Sequence, residues 1–141
     1  MSSNAPRKPI VTIALDAPLP RAIELMGEHG VRHLPVLDGD RLVGILSERD
    51  LTAIEALEST ELTTLSVAEA MTPEPYTVPG SAPLAEVAQT MAERKYGCAV
   101  IVDARGGVLD IFTTNDALTL LAEALPQLSV QQAAQRSARR R

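Results

Sequence analysis

The sequence has 141 residues, a formal net charge of −5 and 45% apolar residues, with no Trp, one Phe and two Tyr. That length suits one domain, or a close pair of small repeats, with a core built from Ala, Val, Leu, Ile and Met. No run reaches the roughly 18 apolar residues of a membrane span, the first residues lack the apolar stretch of a secretion signal, and Cys98, the one cysteine, has no internal disulfide partner.

A soluble cytoplasmic protein with no membrane partner is therefore expected. Four of the 13 basic residues, Arg136, Arg139, Arg140 and Arg141, lie at the end of the chain, which leaves 9 against 18 acidic residues in the body. An acidic body makes nucleic acid an unlikely partner. The arginines, without aromatics or an apolar face beside them, read as a solubilising tail.

Residues 1–9 are small, polar and broken by proline, and read as a flexible arm. Ile10 to Ile13 is short and β-branched, a strand. Asp16 and Pro18 open a helix, and Leu19, Ala22, Ile23 and Met26 give it one apolar stripe. Gly30 closes it. Val31 to Leu37 is a second apolar run, Asp38-Gly39-Asp40 a tight turn, and Arg41 to Leu46 the return strand. Ser47 opens a helix to about Leu57. Residues 10–57 form a first unit and residues 58–65 a connector.

Residues 66–125 repeat the pattern. Glu74 to Val78 is a strand, Ser81 and Pro83 open a helix, and Leu84, Val87, Ala88 and Met91 restate the stripe about 65 residues on. Cys98 to Val102 and Val108 to Thr113 are strands flanking the turn Ala104 to Gly107. Thr114 to Leu125 is a helix stopped by Pro126. Residues 126–141 fall outside the repeat and either extend a helix or stay disordered. The fold class is α/β, with an α+β layout of two β-α-β-β-α units. Each is too small to bury its own sheet, so the two pack about a pseudo-two-fold axis.

The stretch Gly44-Ile45-Leu46-Ser47-Glu48-Arg49-Asp50 stands where a strand hands over to a helix. Asp110-Ile111-Phe112-Thr113-Thr114-Asn115-Asp116 is its weaker copy, with Asp110 in place of the glycine. A hydroxyl three residues before a carboxylate fits a helix capping box. It also fits a sugar-phosphate grip, because an ionised carboxylate accepts from vicinal hydroxyls and a helix N-terminus attracts phosphate. Both readings stand on sequence alone. Gly44 lets a backbone or a flat base approach closely.

The run Met26-Gly27-Glu28-His29-Gly30-Val31-Arg32-His33-Leu34-Pro35-Val36-Leu37-Asp38, followed by Arg41 to Leu51, closely resembles the CBS (cystathionine β-synthase) domain. The second unit, led in by Val67-Ala68-Glu69-Ala70-Met71-Thr72, is similar to the same family. Together they resemble a stand-alone tandem pair, or Bateman module, over about residues 10–125. The resemblance implies a regulatory module, not an enzyme. It would bind an adenosine-containing ligand (AMP, ADP, ATP or S-adenosylmethionine) between the repeats, with no required cofactor. It further implies a homodimer that signals to a regulated partner protein. A ligand-free dimerisation or scaffold module is the alternative.

Carried over by position, Asp50 and Asp116 would hold ribose, while Ser47 and Thr113 would approach phosphate. Arg32 and His33 would supply cations, although Arg32 could equally pair with an acidic neighbour. Thr12, Ile13, Thr77 and Val78 would meet adenine, or they are ordinary β-branched strand residues. Tyr76 stacks on a base or covers the core. His29 and His33 are four apart, but Gly30 breaks the helix between them and nothing completes a tetrahedral metal set. Cys98 has no base beside it and reads as a small buried hydrophobe.

Overall fold

The computed structural model describes residues 10–57 and 64–138. The expected arm, residues 1–9, and most of the connector, residues 58–63, lie outside them. The first repeat runs β1 (Ile13–Ala14), α1 (Leu19–His29), β2 (His33–Asp38), β3 (Arg41–Ser47) and α2 (Glu48–Leu57). A short helix α3 (Val67–Ala70) and strand β4 (Thr72–Pro73) follow. The second repeat is β5 (Thr77–Pro79), α4 (Leu84–Arg94), β6 (Cys98–Val102), β7 (Val108–Thr113) and α5 (Thr114–Ala124), and α6 (Val130–Ala138) ends the described chain.

The two repeats build the same half-sheet. β1 lies parallel to β2 through Ile13–Val36 and Ala14–Leu37, as β5 does to β6 through Thr77–Val100 and Val78–Ile101. β2–β3 and β6–β7 are antiparallel hairpins, each with a register shift at the same point, after Val36 and after Ile101. The two first strands start later than propensity suggests, at Ile13 and Thr77. An edge strand this short has its span set by its partner rather than by its own β-branched residues.

The apolar stripes become buried faces. Leu19, Ala22 and Met26 of α1 close over Leu34, Val36 and Leu46, joined by Val67 and Ala70 of α3. The second core is smaller, with Val87, Met91 and Ala99 backed by Tyr76, Val78 and Phe112. α1 ends at Gly30 in the left-handed region, at φ 62°, its N–H bonded to Met26 O. α4 ends in the same way at Lys95, at φ 60°, a conformation that glycine adopts more readily.

Two elements were not expected from the sequence, α3 and β4, and α6 realises the helical one of the two alternatives for the C-terminal residues. β4 pairs antiparallel with β3 through Gly44–Pro73 and Ile45–Thr72, so residues leading into repeat 2 complete the sheet of repeat 1. That gives the first sheet four strands, in the order β1-β2-β3-β4, and the second three, β5-β6-β7. The α/β fold class, two β-α-β-β-α repeats about a pseudo-two-fold axis, is as expected. Among the described residues no helix is long and apolar enough to cross a membrane.

Candidate functional site

Both hydroxyl–carboxylate turns form capping boxes. Ser47 N–H donates to Asp50 Oδ2 at 2.9 Å, and Asp50 N–H donates to Ser47 Oγ at 3.0 Å. Thr113 N–H donates to Asp116 Oδ2 at 2.8 Å, and Asp116 N–H donates to Thr113 Oγ1 at 3.2 Å. Each cap uses one carboxylate oxygen. A carboxylate has two oxygens and about four lone-pair sites, so capping fixes the rotamer and leaves the second oxygen able to accept. In Asp50 that oxygen takes a hydrogen bond from Thr72 Oγ1 at 3.2 Å.

Each turn opens onto a cleft against the other repeat. Ser47 and Asp50 line an opening of about 990 Å³ whose far wall includes Tyr76, Tyr96, Gly97 and Cys98. Thr113 and Asp116 line one of about 480 Å³, facing Ile10, Val11, Val31 and Arg32. The arrangement is reciprocal. The turn of one repeat meets the stretch before the central strand of the other. Both volumes lie in the usual range for small-ligand pockets.

The other residues expected at the site fall in several places. Arg32 and His33 line both openings. Thr12 and Ile13 line neither, and Ile13 is buried in the first core. The preceding residues, Ile10 and Val11, face the smaller opening, and their counterparts Pro75 and Tyr76 face the larger. Thr77 and Val78 line a separate groove beside α4. Gly44 lines neither opening. A Cβ there would stand 2.4 Å from Met71 Sδ and 3.0 Å from Thr72 O, so the room it leaves is taken by the lead-in to β4. Asp110, aligned with Gly44, lines the smaller opening, and its Oδ1 accepts from Ile111 N–H at 2.8 Å.

The CBS domain family model matches residues 3–56 and 67–123. The chain belongs to the CBS domain family. A CBS domain-containing protein of Dictyostelium discoideum is 29% identical over 130 residues, covering 84% of this chain and 88% of its own. Among solved structures, Arabidopsis thaliana CBSX2 in complex with AMP is 26% identical, with a TM-score of 0.73 over 84% of this chain and 92% of that one. The CBS domain pair of protein MJ0100, in complex with 5′-methylthioadenosine and S-adenosyl-L-methionine, is 25% identical, with a TM-score of 0.75 over 84% and 92%.

In this CBS pair the larger cleft carries chemistry that sequence reading caught only in part, at Tyr76. Tyr76 and Tyr96 stand with ring centroids 5.3 Å apart and tilted by 33°. Lys95 lines the same cleft, held in the left-handed region at φ 60°, and so does Glu74 at φ 54°. Non-glycine residues held there carry strain, which gathers at working sites. The available signal was composition, since a chain with one Phe and no Trp places both of its tyrosines on one wall.

His33 sits between the repeats. Its Nε2 lies 2.7 Å from where a Cβ on Gly97 would be. Burial pulls its pKa below the ordinary 6.5, against the pull of Asp50 upward, and Arg32 and Arg49 lower it further. Burial pushes the Cys98 thiol up to about 11, so the thiol stays protonated and unreactive.

Proposed function

We propose that this CBS pair is a regulatory module that binds an adenosine-containing ligand, AMP, ADP, ATP or S-adenosylmethionine, between its repeats. The observation that carries the reading is Asp50: one oxygen locked by its own helix and the other at the wall of a large opening. Ribose hydroxyls would donate to that second oxygen, displacing Thr72 Oγ1. Adenine would lie against Pro75, Tyr76 and Tyr96, whose faces suit a flat base. Ser47 and the first N–H groups of α2, with Arg49 and Lys95 nearby, would take a phosphate. Asp116 and Thr113 would play the same parts in the smaller opening, with Arg32 and His33 as the cations and Asp110 opposing a highly charged ligand. Two related CBS pairs, with AMP in one and S-adenosyl-L-methionine in the other, support the ligand class.

The ligand would act by favouring one relative angle of the repeats, residues 10–57 and 66–125, and a separate protein would read that angle. No catalytic step is assigned to the chain. A homodimer is part of the reading, because α5 leaves Leu118 63%, Leu120 42% and Leu121 50% exposed. The same leucines favour the second reading, a ligand-free dimerisation module, since the capping boxes alone account for both turns. A thermal-shift panel of the four ligands on wild type, Asp50→Ala and Asp116→Ala separates them. Binding predicts a shift that falls with Asp50→Ala, and no shift with any ligand leaves the scaffold.

A further inference from the structure

We propose that the groove between β5 and α4 seats the C-terminal helix α6 of a second copy of the chain. Repeat 1 shows what covers the loop at the head of this groove. There the segment Leu65–Met71 lies along the β1–α1 loop. Leu19 N–H donates to Leu65 O at 3.1 Å, Val67 N–H to Ala17 O at 2.8 Å and Ala68 N–H to Leu15 O at 2.9 Å. Leu19 and Val67 are left with 0% exposure. The counterpart of Leu19 in repeat 2 is Leu84, which is 51% exposed. The corresponding β5–α4 loop leads, at Ala82, the counterpart of Ala17, into an open groove of about 540 Å³ lined also by Val78 and Val87.

The sequence of the cover recurs at the far end of the chain. Leu65-Ser66-Val67-Ala68-Glu69-Ala70-Met71 is matched by Leu128-Ser129-Val130-Gln131-Gln132-Ala133-Ala134. The two also cap alike, with Ser66 N–H on Glu69 Oε1 at 3.1 Å and Ser129 N–H on Gln132 Oε1 at 2.9 Å. Yet α6 buries no residue, and Val130, the counterpart of Val67, is 87% exposed. The copy and the groove also fit in size. Met71 sits over Gly44 in repeat 1, while Ala134 would meet the bulkier Asp110 in repeat 2.

The length of the chain between helices selects a second copy. Seven residues, 58–64, join α2 to Leu65, whereas three, 125–127, join α5 to Leu128. Four fewer residues shorten the reach by about 14 Å. An exchange between two copies satisfies both grooves at once, as in a two-fold domain swap.

Disulfide trapping in the full-length chain tests this. A tagged Leu84→Cys chain is co-expressed with an untagged Val130→Cys chain and oxidised mildly. Both positions are exposed, so folding survives, and Cys98 is buried with its thiol pushed up to about 11. The expected product is a mixed cross-linked dimer, in excess of that from Leu109→Cys with Val130→Cys, a control at equal exposure. No excess over the control overturns the proposal. So does a cross-link confined to single chains of the Leu84→Cys/Val130→Cys double variant, which would place α6 on its own repeat. Deuterium exchange supplies a second readout. Val130→Asp should speed exchange over residues 79–90, and unchanged exchange there counts against the groove being seated.

Discussion

Replacing Asp50 by Asn separates its two possible duties. The amide oxygen of Asn can still accept from Ser47 N–H, now received by Asp50 Oδ2 at 2.9 Å, so the cap survives. What goes is the negative charge and the second acceptor, which becomes an NH₂ donor. Losing charge in the first turn of a helix costs about 0.3–1 kcal/mol. For a chain of 141 residues, 1 kcal/mol corresponds to roughly 3 °C in melting temperature. The unliganded variant should therefore melt within about 3 °C of wild type. A hydrogen bond to a charged group contributes about 1.5–3 kcal/mol, so nucleotide affinity should fall roughly 10- to 160-fold. Ligand at about 100 times its dissociation constant stabilises wild type by roughly 2.7 kcal/mol, or about 9 °C. At the same concentration the variant should gain only about 1–4 °C. Differential scanning fluorimetry with AMP and S-adenosylmethionine reads both numbers. Equal ligand shifts in variant and wild type would refute the claim that Asp50 touches the ligand.

Three other outcomes are expected. Gly44→Ala would drive a Cβ into Met71 and the Thr72 carbonyl, and should cost about 1–3 kcal/mol, read as a lower urea midpoint. An unchanged midpoint would mean that β4 yields without cost. Lys95→Gly relieves a left-handed residue and should stabilise the free protein by up to about 1 kcal/mol after the extra entropy of glycine. It should also weaken ATP more than adenosine, measured by calorimetry. For His33 the folded pKa lies below the ordinary 6.5, so between those two values the unfolded chain holds more protons. The contribution of His33 is thus full above pH 6.5, falls as pH drops through that window, and reaches its limit below the folded pKa. His33→Gln should flatten that part of the urea-stability profile; an unaltered slope would show that His33 does not titrate against folding.

Much of the architecture was legible because it is written twice. Leu19, Ala22 and Met26 and their counterparts Leu84, Val87 and Met91 carry a helical period that neither propensity nor turns could disguise. The turns at Ser47 and Thr113 were equally plain, since a capping box is a local code, though the same code could not say whether anything else bound there. The rest depends on pairing across distance. Gly44 is small because Met71 passes beside it, and no window of sequence joins the two. Thr12 and Ile13 were expected at the base pocket, yet in a strand with a period of two a small change in span moves the lining to Ile10 and Val11. Lys95 and Tyr96 follow the end of α4, and only the fold turns them toward the cleft.

One feature of the shared wall reaches beyond either opening. Arg32 and His33 face both, so two anions entering from opposite sides would draw on a single guanidinium. The first arrival would take the better orientation of that group and would leave the second with less positive field. By thermodynamic reciprocity the penalty is the same in either order of filling. Occupancy of the pair would then rise over a broader span of concentration than that of independent sites, a graded response in place of a threshold.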